Sequence, residues 1–176
     1  FGADVIPAAI KTHQVYGYDF NGFWEDIGTI RSFYKANLSL TEPNPPFNFF
    51  DQKFPIYSHS RFLPGSAVED SQLKDTLLAE GCRIEKATIS HSVIGLRSQI
   101  RRGTTIIDSI LMGNDYYEWP ETTEARTAPL EIGQDCYIEG AIIDKNSRIG
   151  KGVVIRNFPV GTDLDGYGWV VRDGIV

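Results

Sequence analysis

The sequence predicts a mainly β fold, a left-handed parallel β-helix of hexapeptide repeats, and the first reason is the spacing of its aliphatic residues. Between residues 73 and 155 an aliphatic side chain recurs every five or six positions, with one break. A helix has an apolar repeat near 3.6 residues and a flat strand a repeat of 2, so this spacing fits neither. The recurring residues are Leu73, Leu78, Ile84, Ile89, Ile94, Ile100, Ile106 and Leu111, and then Ile132, Ile138, Ile143, Ile149 and Ile155.

A second, longer period supports the same fold. Every third aliphatic residue lies sixteen or seventeen positions further along the chain. Three short strands of one triangular coil occupy that length, so each such set is expected to stack along one face of a prism. Stacked coils would then share one continuous core, with one aliphatic side chain from each strand pointing inwards. The clearest sets are Leu73, Ile89 and Ile106, and Leu78, Ile94 and Leu111.

The third observation is the small or polar residue that lies two positions before many of these aliphatics, as Ser92, Ser98 and Ser147 do. Glycine or a polar residue often follows the aliphatic, and both types suit corners where the backbone turns sharply. A sandwich of ordinary short strands is the alternative fold.

Two blocks of the repeat resemble each other, with Cys82 aligned on Cys136 and Ile94 on Ile149. Because each of the two cysteines lies at an equivalent repeat position, they are expected to be small buried packing residues. A disulfide or a metal site is not expected.

Residues 1–41 lack the repeat and are expected to form the end of an α/β domain, as a strand, a turn and a helix. Gln14–Phe20 alternates in polarity and predicts the strand, and the turn that follows carries carboxylates. Apolar residues at helical spacing then predict the helix. One face of this helix is expected to contain Ile30, Phe33, Tyr34, Asn37 and Leu38.

A linker, residues 42–66, is expected to join this part to the β-helix domain, residues 67–176. Its five prolines exclude a regular helix, and the aromatic residues between them predict that it packs against both neighbours. A second irregular stretch, the excursion 112–129, interrupts the repeat and is expected to leave a corner and lie outside the prism. The tail is expected to end in a strand, Trp169–Val171.

Composition argues against several partners. The chain has 17 basic and 23 acidic residues and a net charge of −6, without a basic run, so nucleic acid is not an expected partner. No apolar stretch approaches the length of a membrane span and no signal peptide is visible, so a membrane is not expected either and a cytosolic protein fits. The chain opens on Phe1 and ends on Val176 within an apolar run, so we expect a piece of a longer protein.

Five motifs occur in order along the chain: Phe1–Pro7, Trp24–Thr29, Ser92–Ser98, Met112–Glu118 and Ile142–Gly150. Together they resemble ADP-glucose pyrophosphorylase (glucose-1-phosphate adenylyltransferase). The resemblance is greater to the cyanobacterial and plant branch than to the enteric branch. It covers the whole of this chain, but only the C-terminal portion of the family's protein.

The resemblance implies an enzyme that makes ADP-glucose and pyrophosphate from ATP and glucose 1-phosphate, for glycogen or starch synthesis. Residues 1–41 would end its Rossmann-like nucleotidyltransferase domain, and the β-helix would serve oligomer contacts and allosteric control. The nucleotide-binding loop would lie upstream of Phe1, so this chain alone is expected to be inactive. The resemblance also implies Mg²⁺, a small phosphorylated effector opposed by phosphate, a homo- or heterotetramer, and the cytoplasm, or the plastid of a plant or alga.

Asp26 is the candidate catalytic and metal-binding residue. It lies between the predicted strand and helix, where ligand sites of α/β proteins cluster, and it matches the family's second metal aspartate. Magnesium held by carboxylates offsets the charge of reacting phosphates. The alternative is a carboxylate that only caps the helix or stabilises the turn, and the neighbouring Glu25 is interpreted as structural.

Arg61 and Lys145 are the candidate effector-binding residues. Each matches a basic residue of the family's effector site, for which 3-phosphoglycerate is an implied activator. A guanidinium fork and a lysine ammonium both suit a phosphorylated acid. The alternative for each is a solvated surface charge. If the linker folds back along the β-helix, both residues are expected to face one cleft.

Two other functions remain open on the residues alone. Hexapeptide β-helices also occur in acyltransferases that use a histidine as general base, for which His91 at a corner is the candidate. The β-helix could also be a non-catalytic assembly module, which is compatible with the first hypothesis.

Overall fold

The computed structural model describes residues 1–118 and 128–176, and this part of the chain contains two helices and twelve short strands. The helices are α1 (Val5–Ala9) and α2 (Ile30–Ser39). The strands are β1 (Ala67–Glu69), β2 (Gln72–Leu78), β3 (Arg83–Glu85), β4 (Thr88–Ile94), β5 (Gln99–Ile100), β6 (Thr105–Ile107), β7 (Ile110–Leu111), β8 (Tyr137–Glu139), β9 (Ile142–Ile143), β10 (Val154–Ile155), β11 (Leu164–Gly166) and β12 (Trp169–Val171).

Strands β1–β10 form the three faces of a parallel β-helix of about five turns, as predicted. The first face contains β1, β3 and β5 and continues through bridges at Ile132 and Ile149. The second face contains the first halves of β2 and β4, followed by β6, β8 and β10. The third contains the second halves of β2 and β4, followed by β7 and β9. Strands β2 and β4 therefore bend around a corner and serve two faces each.

The predicted aliphatic ladders form the core. In the observed register Leu73 pairs with Ile89 and Ile89 with Ile106, while Leu78, Ile94 and Leu111 stack on the next face. Isoleucines in the middle coils are almost fully buried, whereas Leu73 in an outer coil is 37% exposed. Packing within each ladder thus holds the coils together. Fully enclosed examples are Ile84, Ile100, Ile106 and Ile138.

The two similar sequence blocks lie on different faces of the prism. Ile94 stacks on Leu111 in the third face, but Ile149 pairs with Ile132 in the first face. The physical reason is that the prism has three similar faces, so a block of sequence can be repeated one face later without changing its local packing. Both cysteines are nevertheless buried and free, as predicted.

The corners depend on a left-handed backbone. Residues with positive φ recur at the corners between faces, at positions 70, 75, 81, 86, 91, 97, 103, 108 and 113, and again at 135, 140, 146 and 152. Most L-residues avoid this region, whereas glycine, aspartate and asparagine enter it more readily. Equivalent corners of adjacent coils are joined by backbone hydrogen bonds, such as the one from Asn146 N to Gly113 O at 3.1 Å.

The N-terminal part differs from prediction in one element. Helix α2 is confirmed and begins at a capping box in which Thr29 and Ser32 bond each other's backbone N–H groups. The predicted strand over Gln14–Phe20 does not form, and that segment is exposed. A strand requires a neighbour for its backbone hydrogen bonds, and none pairs with it in the described residues.

The linker also differs from prediction, because its aromatic side chains are exposed rather than packed against both neighbours. Phe50, Tyr57 and Phe62 are 86%, 93% and 94% exposed. Phe47 instead contacts Phe23 and Phe49, with ring centroids 6.0 and 4.9 Å apart. Aromatic content predicted burial here, but only a local cluster of rings forms.

The coil continues past β7, since Met112 N and Asn114 N donate to Ile143 O and Leu96 O of adjacent coils at 2.9 and 2.7 Å. Residues 119–127 of the excursion lie outside the described residues, and its path outside the prism stays a prediction. The predicted C-terminal strand is confirmed as β12, which pairs with β11 in an antiparallel hairpin. Among the residues that the structure describes, no helix has the length and apolarity needed to cross a membrane.

Replacement of Ile106 by alanine tests the ladder. Ile106 is fully buried between Ile89 and Ile138, so the loss of three carbon atoms should leave a cavity and lower the free energy of unfolding by about 2–5 kcal/mol. Val154→Ala is the matched control, since Val154 is 62% exposed and should change stability by less than about 0.5 kcal/mol. Urea unfolding measures both, and equal effects would contradict a core formed by the ladders.

Candidate functional site

Asp26 lies in the turn that leads into α2. Its Oδ1 accepts a hydrogen bond from the Gly28 backbone N–H at 3.0 Å, and Thr29 then caps the helix. A Cβ at position 28 would lie 3.1 Å from that same carboxylate oxygen, so glycine keeps the space beside it open. The structure therefore gives Asp26 the turn-stabilising contact that was the alternative interpretation. This turn contact uses the Oδ1 atom of the Asp26 carboxylate.

The described residues could supply one carboxylate ligand to a magnesium ion, but not a cluster of ligands. In residues 1–118 and 128–176, no group of three or more His, Cys, Asp or Glu side chains could hold a metal ion. Magnesium usually takes only one or two protein carboxylates and completes its shell with water and substrate phosphates. The exposed Asp26 fits as one such ligand, and its metal role stays a prediction.

Helix α2 connects this turn to the β-helix. The Arg31 guanidinium forms a salt bridge with the Asp173 carboxylate and also donates to the Asp173 carbonyl oxygen. The Tyr34 hydroxyl donates to the Asp108 carbonyl oxygen at a corner of the prism. These contacts fix the position of the Asp26 turn relative to the coils.

Two pKa shifts reflect this docking. Burial raises the pKa of Tyr34 to about 12, with a further contribution from the negative charge of Asp108. The hydrogen bond from Arg31 lowers the pKa of Asp173, and the backbone N–H of Gly161 adds to this effect. At neutral pH these shifts favour a neutral Tyr34 hydroxyl and an ionised Asp173 carboxylate, the forms that hold α2 against the β-helix.

Lys145 lies in a cluster at another corner. Its Nζ lies 2.8 Å from Oδ1 of Asp115, in the first part of the excursion. Asn146, which has a left-handed backbone, donates its side-chain amide to Oδ2 of Asp115 at 2.9 Å and accepts the Asp115 N–H at 2.9 Å. One carboxylate is therefore bound by two donor side chains from the next coil.

Arg61 acts on the same carboxylate. Hydrogen bonds from Lys145 and Asn146 lower the pKa of Asp115, and the positive charge of Arg61 lowers it further. Arg61 is therefore near enough for its charge to act on the carboxylate that Lys145 binds, although the two basic residues are far apart in sequence. Their role in effector binding stays a prediction.

The cluster lies on the surface rather than in a deep pocket. The Lys145 and Asp115 side chains are 49% and 53% exposed. A nearby cavity, lined in part by Asn114, Asp144 and Ser147, has a volume of about 20 Å³, enough for one water molecule. Recognition of a small anion here would therefore depend on exposed charged side chains.

Arg148 holds the base of the excursion. Its guanidinium forms a bidentate salt bridge with Glu118, with Nη2–Oε1 and Nη1–Oε2 distances of 2.5 and 3.0 Å. It also donates to the Ala128 carbonyl oxygen at 2.8 Å. Glu118 also accepts the Leu130 backbone N–H at 2.8 Å. Both ends of the excursion are thereby attached to one arginine, which limits how far Asp115 can move.

Comparison with known protein families agrees with this architecture. Residues 61–176 match the family model described as the GLGC left-handed parallel β-helix domain. The chain belongs to this family. Residues 1–43 match the model described as nucleotidyl transferase. Together the matches support an ADP-glucose pyrophosphorylase-like protein and a nucleotidyltransferase.

The contacts of His91 decide between a structural role and that of a general base. Its Nδ1 lies 2.6 Å from Oδ1 of Asp108, the residue whose carbonyl oxygen accepts the Tyr34 hydroxyl. His91 therefore lies next to the contact between α2 and the β-helix. This position favours a structural role for His91 over that of a general base.

Sequence reasoning missed Asp115, Arg31 and Asp173. Asp115 lies within the motif Met112–Glu118, which was noted only for its resemblance. Arg31 and Asp173 are 142 positions apart, and neither belongs to an apolar pattern. Contacts between distant charged residues leave no periodic signal, so the three-dimensional structure was needed to find them.

Tyr34→Phe tests the docking of α2. Because the pKa of Tyr34 is raised in the folded state, the stability it provides is complete below about pH 10 and is lost as the pH rises through about 12. Ultraviolet titration of the wild type and of Tyr34→Phe should show that the missing tyrosine ionises near pH 12. A missing step near pH 10 would mean that Tyr34 is solvated and that α2 does not dock as described.

Proposed function

We propose that this chain is the regulatory and assembly part, with one metal-binding carboxylate, of an enzyme that makes ADP-glucose and pyrophosphate from ATP and glucose 1-phosphate. The observation that carries the proposal is the docking of α2, within the nucleotidyl transferase match, on the GLGC β-helix through Arg31 and Tyr34. A helix held in this way connects the two parts physically. The cyanobacterial or plant branch, a tetramer, and a cytoplasmic or plastid location belong to the same proposal.

In the proposed reaction, a phosphate oxygen of glucose 1-phosphate attacks the α-phosphorus of ATP. The bond from that phosphorus to the oxygen bridging it to the β-phosphate breaks, and pyrophosphate leaves. A bound magnesium ion would offset negative charge and orient these groups. Asp26 would contribute one carboxylate oxygen to it, from a turn fixed by Gly28 and by the cap of α2.

Asp26→Asn, made in the assembled enzyme, should lower turnover by roughly a thousandfold. Loss of a charged metal ligand removes several kcal/mol of stabilisation from a transition state rich in phosphate charge. The asparagine oxygen can still accept the Gly28 N–H, so the turn and the thermal unfolding temperature should be retained.

Glu25→Gln is the matched control, because it removes the same charge from the adjacent residue and should have little effect. Pyrophosphate release at saturating magnesium is the measurement. Near-normal turnover of Asp26→Asn would show that Asp26 only stabilises the turn.

The effector part of the proposal rests on Lys145 and Arg61. A small phosphorylated acid would bind the ammonium and the guanidinium through charge-assisted hydrogen bonds, and inorganic phosphate would compete for the same groups. Both side chains already act on one carboxylate, which supports a site for negative charge. Coupling between such a site and catalysis is typically about 1–3 kcal/mol.

Lys145→Gln should raise the concentration of 3-phosphoglycerate that gives half of the maximal activation by about five- to a hundredfold. Arg61→Ala should weaken inhibition by phosphate more than it weakens substrate binding. Lys151→Gln is the control, since Lys151 is another exposed lysine paired with an aspartate, Asp135, at 3.5 Å. Activator and phosphate titrations at fixed substrate measure all three. If Lys145→Gln and Arg61→Ala follow the wild type, the effector site lies elsewhere.

A further inference from the structure

The proposed effector site contains an anion that belongs to the chain itself. The Asp115 carboxylate accepts from Lys145 Nζ through one oxygen and from Asn146 Nδ2 through the other. The charge of Arg61 acts on it as well. A phosphate group at this site would bind the same side chains, and its negative charge would repel the Asp115 carboxylate that they already hold, so the two anions compete.

Another carboxylate, Asp144, lies beside the cluster but is engaged differently. Its Oδ1 accepts the Lys145 backbone N–H at 2.7 Å rather than the ammonium group. Asp144 therefore stabilises the corner, whereas Asp115 occupies the side chains that point to solvent.

We propose that Asp115 is an internal competitor at this site, which a phosphorylated ligand must displace from Lys145 and Asn146 before it binds. The proposal rests on the effector function proposed above. Asp115 would then be a specificity-determining residue, because only a ligand with more charge than one carboxylate gains by the exchange.

The strength of the contact suits such an exchange. Ion pairs exposed to water are weak, and this pair is about half exposed on each side, at 49% and 53%. A dianionic phosphate interacts more strongly with a lysine than a carboxylate does and accepts more hydrogen bonds. A singly charged anion such as chloride offers no such advantage and would leave Asp115 in place.

The attachment of the excursion keeps Asp115 close to Lys145 during the exchange. Arg148 holds Glu118 and the Ala128 carbonyl oxygen, and the Tyr117 hydroxyl donates to the Gly81 carbonyl oxygen at 2.8 Å. Asp115 therefore remains near Lys145 after displacement and can return when the ligand leaves.

The experiment is calorimetric titration of the full chain with inorganic phosphate. Asp115→Asn keeps the shape of the side chain and removes its charge, so phosphate affinity should rise about three- to tenfold. Lys145→Gln should bind phosphate more weakly than the wild type. In the double variant, Asp115→Asn should give little or no gain, because the competitor acts through Lys145. Circular dichroism checks that each variant is folded.

Asp135→Asn is the matched control, since Asp135 is another aspartate paired with an exposed lysine. The affinity of this variant for phosphate should equal that of the wild type. If Lys145→Gln weakens binding but Asp115→Asn leaves it unchanged or weaker, Asp115 is not a competitor and the effector site survives. If Lys145→Gln binds phosphate as the wild type does, the effector site and the competitor both fail.

Discussion

The left-handed corner is the constraint on which the rest of this structure depends. Each coil must turn three times in sixteen or seventeen residues, and each turn places one residue at positive φ. Glycine occupies many of these positions without strain, and aspartate or asparagine occupies others. Only with such turns can the intervening two- or three-residue strands align and their isoleucines form closed ladders.

The same constraint places polar side chains in columns along the outside of the prism. Corner residues of adjacent coils lie one above the other, which brings His91 onto Asp108 and Asp135 close to Lys151. Asn146 belongs to such a column, and its left-handed backbone presents the side chain that binds Asp115. The candidate anion site is thus a consequence of how the β-helix turns.

Helix α2 gives the β-helix a mechanical connection to the segment that resembles a transferase. One end of the helix is capped by Thr29, three residues after Asp26, and its body contacts the prism through Arg31 and Tyr34. The partner of Arg31, Asp173, is itself held by the Gly161 and Asp163 loop through hydrogen bonds of 2.7 and 2.8 Å. The coils and the Asp26 turn are therefore connected by direct contacts through α2.

The sequence by itself determined the β-helix, the two ladders that begin at Leu73 and Leu78, and helix α2, because these follow from periodic burial that any local stretch must satisfy. It also indicated Lys145 and Arg61 as candidate effector-binding residues, but only through motifs that resemble those of a known family. It could not determine which face a repeated block occupies, since the three faces impose the same local pattern.

Only the tertiary structure decided what lies near these residues. It joined Asp115 to Lys145 across 30 positions and Arg31 to Asp173 across 142, because ion pairs depend on distance in space and carry no periodicity. It also showed that the aromatic linker and Gln14–Phe20 remain exposed, since burial and strand formation both require a neighbour that composition cannot supply.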